Sequence, residues 1–229
     1  MALPFFYLNQ LDEKKITMDE DTSKHMIHVL RMQKGEFVLL TDGKGKKATA
    51  VIVDDNRKKA VVEILEITTE DAMLPKVAIA ISLTKNSSRF EWFLEKATEI
   101  GINEIIPLVC ERTAKDKVRL DRMRQILISA MLQSQQCWLP VLHEPAKFEK
   151  VLEFSFDQKL IAHCEDGEKR QLHDVVKKDE SKLILIGPEG DFTPTEIENA
   201  IRNHFLPVAL GRTRLRTETA GMYAAVGLR

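Results

Sequence analysis

A small β-barrel followed by a parallel α/β sheet is the fold class predicted by this 229-residue chain. Three observations carry it. Residues 37–41, 48–54 and 60–67 are short, β-branched and separated by the polar turns DGKGKK and DNRKK, as the strands of a small barrel are. Residues 77–83 and 102–109 are continuously apolar and alternate with helical stretches at 90–100, 120–135 and 147–154, as a sheet covered on both faces requires. Toward the end of the chain one design occurs twice: apolar strand, glycine-bearing loop, amphipathic helix.

Taken in order, a helix over about 23–32 precedes the barrel strands. The pattern changes near Met73 and the Leu74-Pro75 pair, which divides the chain into 1–72 and 73–229. In the first of the paired units, residues 183–186 (LILI) read as a buried parallel strand, Gly187 and Gly190 permit a tight turn, and Pro188 stiffens it. Thr193, Pro194 and Glu196 then supply an N-cap, a proline at the first helical position and the acidic partner of a capping box. The second unit runs from 208–210 through Gly211 into a helix from about Glu218. In open α/β sheets ligands bind beyond the carboxyl ends of the strands, so both loops point to one pocket.

The pocket's chemistry is narrowed by exclusion. The chain has no G-x-x-x-x-G-K-[ST] run and no G-x-G-x-x-G after a strand, so neither phosphate-binding signature is present. Glu189, Asp191 and Glu218 would repel a polyphosphate. Backbone amides and carbonyls beside apolar walls suit an adenine with a compact cationic or zwitterionic tail.

Composition sets outer bounds. With 44% hydrophobic and 30% charged residues the chain is an ordinary globular protein. No apolar run is long enough for a membrane span, and MALPFFYLNQ has no signal-peptide pattern, so a cytoplasmic location is expected. Cys110, Cys137 and Cys164 are widely spaced without a C-x-x-C pair; they are read as buried thiols, with no disulfide framework and no metal site. The formal net charge of −1 means that any contact with nucleic acid must rest on local basic clusters. Two exist: Arg112, Lys115, Lys117, Arg119, Arg122 and Arg124, and Lys44, Lys46, Lys47, Arg57, Lys58 and Lys59. Each cluster reads equally as a solvated face.

GPEGDFTPTE and LGRTRLRTETA resemble the two cofactor-loop signatures of the 16S rRNA uracil-N3 methyltransferase family, a branch of the SPOUT class of S-adenosylmethionine-dependent RNA methyltransferases. HMIHVLRMQKGEFVLLTDGKG (25–45) is similar to that family's N-terminal signature, and RFEWFLEKATEIGINEIIPLVCERT (89–113) to its central one. The resemblance covers nearly the whole chain. It implies a PUA-like barrel over 1–72, a SPOUT trefoil-knotted α/β domain over 73–229, and a homodimer formed through the knotted domain. It also implies S-adenosylmethionine as cofactor, 16S rRNA or the small ribosomal subunit as partner, and methyl transfer to N3 of a uridine. Two other readings keep the same fold: a SPOUT enzyme acting on another RNA or base position, and an RNA-binding factor without catalysis. The chain departs from the family's pattern at LQSQQCWLPVL, where Gln136, Cys137 or Trp138 stands in place of a basic residue.

Residue by residue, the matching motifs nominate Leu185, Ile186, Gly187, Glu189, Gly190, Leu210, Gly211, Leu215, Arg216 and Thr219 for the cofactor. Uracil N3–H is a poor nucleophile, so a group must take its proton and another must stabilise the charge that spreads to the two carbonyl oxygens. Arg216 and Arg89 are candidates for the second task, because a guanidinium donates several hydrogen bonds in one plane. Glu218 is the candidate proton acceptor, or else orients Arg216. Lys85, Asn86, Arg89, Arg112, Lys115 and Arg31 are nominated for RNA. Lys96 and Glu99 lie at a helical spacing that lets them pair with each other.

Overall fold

The computed structural model describes residues 3–114 and 118–229, arranged as two compact units. One holds the chain up to Ala72 together with Met131–Leu139; the other holds Met73–Ala130 and Pro140–Arg229.

The first unit contains β1 (Phe5–Tyr7), β2 (Lys15–Thr17), α1 (Glu20–Lys24), β3 (Phe37–Thr41), β4 (Lys46–Asp54) and β5 (Val61–Thr69). Its sheet runs β1-β3-β4-β5-β2, antiparallel except for the β1–β3 pair. Register shifts at Thr49/Ala50 and Ile52/Asp54 bend β4 against β5, and such irregularities are how a small sheet curls around its core. That core is Val38, Leu40, Ala50, Ile52 and Val62, closed by Met18 and Met26. The helix begins earlier than the apolar pattern indicates, because the Asp19 side chain accepts from Thr22 N at 2.7 Å and caps it. From His25 to Val29 the helix continues with π geometry, and the chain leaves it through Arg31 at φ 58.

Met131–Leu139 belongs to this unit by hydrogen bonding: Gly45 N donates to Cys137 O and Leu139 N to Gly43 O, both at 2.9 Å. Trp138 Nε1 donates to Glu70 O at 2.9 Å. Its ring lies where a side chain on residue 45 would be, within 2.6 Å of a built Cβ, so Gly45 is glycine by necessity. The unusual LQSQQCWLPVL segment thus folds as part of the first unit.

The second unit contains, in chain order, β6 (Val77–Ser82), α2 (Ser87–Ile100), β7 (Glu104–Val109), most of α3 (Leu120–Gln133), β8 (Val141–Leu142), β9 (Ala146–Lys147), α4 (Phe148–Leu152) and β10 (Gln158–Ala162). It continues with β11 (Arg170–Gln171), α5 (Leu172–Val175), β12 (Lys182–Ile186), α6 (Pro194–Arg202), β13 (Leu206–Ala209) and α7 (Thr217–Leu228). The strands form one sheet in the order β11-β13-β10-β12-β6-β7-β8, with β9 also on β7, and every pairing in it is parallel.

Strand alternation sorts the core. Ala78, Ala80, Leu183 and Leu185 face one side and pack with Phe148, Val151, Phe192, Ile197 and Phe205. Residues one position on face the opposite layer, where α7 lies on β6 and β12 and against α2. There Gly221 of α7 sits so close to Ile81 and Phe93 that a Cβ would lie 2.7 Å from Ile81 Cδ1. Two helix ends repay their sequence signals. Asn86 caps α2, accepting from Ser88 N at 3.0 Å, and Gly101 ends it at φ 86. Thr193 and Glu196 form the full capping box of α6, with Glu196 N to Thr193 Oγ1 at 3.2 Å and Thr193 N to Glu196 Oε2 at 2.8 Å.

Candidate functional site

The carboxyl ends of three adjacent strands, β12, β10 and β13, surround a cavity of about 700 Å³. Its first wall is Ile186–Glu189 and Asp191 after β12, its second Leu210–Thr217 after β13, and its third Ala162, His163 and Cys164 after β10 with Lys169 beyond. Val208, Ala209 and Ala220 complete it. The volume falls within the roughly 300–1,000 Å³ of small-molecule sites, and the lining mixes apolar side chains with open backbone.

Hydrogen bonds fix the first loop. Glu189 Oε1 accepts from Lys85 N at 3.0 Å, tying it to the loop after β6. Asp191, at φ 63, accepts from Cys164 N at 2.7 Å and from Phe192 N at 2.9 Å, tying it to the loop after β10. Arg112 Nη1 donates to Gly190 O at 2.8 Å, and Glu196 Oε1 accepts from Glu111 N at 2.9 Å, anchoring it on the β7 side. The second loop is held where Thr217 Oγ1 donates to Gly187 O at 3.1 Å. The acidic groups therefore position backbone, while Arg212, Arg214 and Arg216 leave the second wall rich in cations.

Of the residues nominated for a cofactor, Ile186, Gly187, Glu189, Leu210, Gly211, Leu215 and Arg216 line this cavity. Leu185 does not. It is fully buried among the residues facing Phe192 and Ile197, since alternation along β12 turns it away from the side that Ile186 faces. Gly190 also lies off the lining, covered by the Arg112 side chain, and Thr219 is exposed on α7 outside it.

The nominated catalytic groups gather at the start of α7. Arg216 is its N-cap and lines the cavity. Glu218, one position past Thr217, turns toward α2, where its Oε1 lies 3.7 Å from Arg89 Nε. Its partner is thus Arg89 and not Arg216, which corrects the orienting role considered for it. Glu218 Oε2 is buried and carries no hydrogen bond among the described residues.

Of the residues nominated for RNA, Lys85 is exposed beside the first loop, Asn86 spends its side-chain oxygen on the α2 cap, and Arg112 spends Nη1 on Gly190. Arg31 is exposed in the first unit, and Lys115 lies outside the described residues. Lys96 pairs with Glu99 at 2.8 Å and Glu95 at 2.7 Å. Cys110 and Cys137 are buried, but Cys164 is exposed at the cavity edge, against the expectation for all three. Burial pushes its thiol up in pKa, and Asp191 adds to this.

Sequence reasoning missed the third wall. β10 is the five-residue run QKLIA, and its apolar end followed by His163, Cys164 and the EDG turn is the one local signal of it. Burial lowers the His163 pKa and Lys169 adds to the effect, with Asp191 opposing; neither ring nitrogen has a hydrogen-bond partner among the described residues.

A smaller cavity of about 140 Å³ lies between the starts of α2 and α3, lined by Leu83, Thr84, Ser87, Phe90, Glu91, Val118, Arg119, Arg122 and Met123. Arg122 grips Glu91 through two bonds of 2.5 and 2.7 Å, which holds the Glu91 carboxyl below its usual pKa.

A parallel sheet whose strand ends carry such a cavity, following a small mixed sheet, defines a two-unit RNA methyltransferase architecture: residues 71–228 match the RNA methyltransferase domain family and residues 19–65 the RNA methyltransferase PUA domain. The chain belongs to the ribosomal RNA small subunit methyltransferase E family. The family's protein from Synechocystis is 32% identical over 92% of this chain and 71% of that one, and that from Bacillus subtilis 29% over 87% and 84%. Among solved structures, a probable rRNA-methyltransferase from Porphyromonas gingivalis is 36% identical with a TM-score of 0.93, covering 98% of this chain and 96% of that one. The Neisseria gonorrhoeae ribosomal RNA small subunit methyltransferase E, bound to S-adenosyl methionine, is 29% identical with a TM-score of 0.88, covering 99% and 97%.

Proposed function

We propose that this protein is an S-adenosylmethionine-dependent methyltransferase acting on N3 of a uridine in 16S ribosomal RNA. The observation that carries the reading is the 700 Å³ cavity walled by the two glycine loops, in a chain whose relatives of nearly full length are small-subunit rRNA methyltransferases. The cavity fits the cofactor in size and in lining: backbone groups at Gly187 and Gly211 for a heterocycle, Ile186, Leu210 and Leu215 for its faces, and polar groups at one end. When bound, S-adenosylmethionine supplies a methyl group already activated by its sulfonium charge.

What remains for this chain is alignment and the N3 proton. Arg216, on the cavity wall, is placed to donate to a uracil carbonyl oxygen as negative charge grows there. Glu218 offers a buried oxygen whose acceptor capacity nothing else uses, and the adjacent Arg89 keeps its carboxylate compensated. As the new N–CH₃ bond forms and the donor's C–S bond breaks, the N3 proton passes to that carboxylate.

The reading extends to assembly. The chain works in the cytoplasm as a homodimer, supported by exposed apolar Trp92 on α2 and Tyr223 and Val226 on α7, two helices that pack together. No helix among the described residues is long and apolar enough to cross a membrane. The domains are 1–72 and 73–229. The chain is knotted where it returns from β13 to place α7 on β6 and β12, a path consistent with the Thr217 bond to Gly187. Lys85, Arg89, Arg112, Lys115 and Arg31 meet RNA phosphates.

Mass spectrometry of nucleosides from 16S rRNA of a strain lacking the gene tests the function. Loss of 3-methyluridine, restored by the intact protein and not by Arg216→Ala, is the expected result. An unchanged nucleoside profile rejects it, and calorimetry with S-adenosylmethionine then tells whether the cavity binds the donor at all.

A further inference from the structure

We propose that the 140 Å³ pocket between α2 and α3 receives the base of one pyrimidine nucleotide flanking the target uridine, making it a specificity site for the RNA sequence. The inference rests on the reading that the chain methylates RNA. Size comes first. A dry cavity of about 150 Å³ takes up a benzene ring, so a pocket of 140 Å³ matches one six-membered ring and excludes the fused pair of a purine.

The lining agrees. Leu83, Phe90 and Met123 are all buried and give an apolar floor on which a ring can lie. At the rim, the Ser87 hydroxyl makes no hydrogen bond among the described residues and is free to read a base edge. Arg122 is held in one plane by its two bonds to Glu91, while Arg119 makes no side-chain hydrogen bond among the described residues and is available to a phosphate.

Position supplies the third argument. Leu83 and Thr84 follow β6, the neighbour of β12, so this pocket and the large cavity open along the same edge of the sheet. The loops beside them are joined by the Lys85–Glu189 hydrogen bond. A strand that delivers its target uracil to the start of α7 has its neighbouring nucleotide within reach of the start of α2. Single-stranded RNA is read this way, base by base in pockets with aromatic or arginine walls.

The test is an NMR titration of the full-length protein carrying ¹³C-labelled leucine and methionine methyls with uridine, cytidine and adenosine 5′-monophosphates. The Met123 and Leu83 signals are expected to move with the two pyrimidine nucleotides and at least fivefold less readily with the purine. Ser87→Phe, which fills the pocket from its rim, and the exposed Arg119→Ala are each expected to raise KM for RNA severalfold with unchanged affinity for S-adenosylmethionine. Equal responses to all three nucleotides, or an unchanged KM in both variants, overturn the proposal. Selective pyrimidine binding at Met123 in a protein that methylates no RNA upholds the pocket and removes the methylation reading; methylation without that binding does the reverse.

Discussion

Arg89 and Glu218 meet at 3.7 Å across the packing of α2 on α7, and the second carboxylate oxygen of Glu218 is left buried without a hydrogen-bond partner. An acceptor in that condition is costly to maintain unless a ligand uses it. If it takes the N3 proton, Glu218→Gln keeps the shape and removes the base, so kcat is expected to fall by about 10²–10⁴. Arg89→Ala leaves the carboxylate uncompensated and is expected to lower kcat while shifting the acid limb of the pH–rate profile upward. Single-turnover methylation across pH checks both, and a wild-type rate in Glu218→Gln removes the assignment.

Arg216 differs from this pair because it stands on the cavity wall itself. A donor aimed at charge that exists only in the transition state contributes to turnover and little to ground-state binding. Arg216→Ala is therefore expected to reduce kcat by about 10²–10³ with the calorimetric Kd for S-adenosylmethionine nearly unchanged. A Kd raised as much as kcat is lowered would assign Arg216 to cofactor binding instead.

The capping box of α6 couples stability to the site. Glu196 is 6% exposed, and its two oxygens serve Thr193 N and Glu111 N, so it holds the first loop at both ends. Thr193→Ala is expected to cost about 1 kcal/mol. Glu196→Ala strands two partly buried donors and is expected to cost about 2–4 kcal/mol. Urea unfolding measures these losses, and a weakened donor affinity in Glu196→Ala alone would confirm that the carboxylate shapes the loop.

These residues also show how far the sequence could be read. Thr193, Pro194 and Glu196 fixed a helix start correctly because capping is local chemistry, written within four residues. The continuous apolar runs of β6 and β12 announced a parallel sheet for the same reason. What local pattern could not supply was adjacency: that β10 lies beside β12 and brings His163 and Cys164 to the cavity, or that Glu218 faces Arg89. Leu185 failed as a candidate because motif matching carries no sense of which face a strand residue takes. The segment Met131–Leu139 joined the first unit through backbone bonds to Gly43 and Gly45, which leave no trace in hydropathy.

Gly221 tests the packing of α7. A Cβ there would lie 2.7 Å from Ile81 Cδ1 and 2.8 and 2.9 Å from the Phe93 ring, and Phe93 is fully buried. Side-chain ends yield where backbone would not, so Gly221→Ala is expected to fold with a loss of about 1–3 kcal/mol from overpacking. Differential scanning calorimetry should show a Tm several degrees lower. An unchanged or raised Tm would mean that Ile81 and Phe93 move aside freely and that the helix gains from alanine's propensity.

His163 sets a pH dependence. Burial and Lys169 lower its folded pKa from the ordinary imidazole value of about 6.5, with Asp191 and Glu165 opposing. A depressed folded value means that the unfolded chain takes up the proton first. The contribution of His163 to stability is therefore fully present above about pH 6.5 and falls as pH drops toward the folded value, by at most about 1.4 kcal/mol per pH unit. Carboxylates with lowered values, such as Glu104 and Asp157, act in a separate and more acidic window. Unfolding free energies at pH 7.5, 6.5 and 5.5 should decline between the last two, and His163→Gln should remove part of that decline. Equal slopes in the two proteins would mean that the imidazole finds a partner or solvent before it titrates, since a group with no shift between folded and unfolded chains adds nothing to the slope.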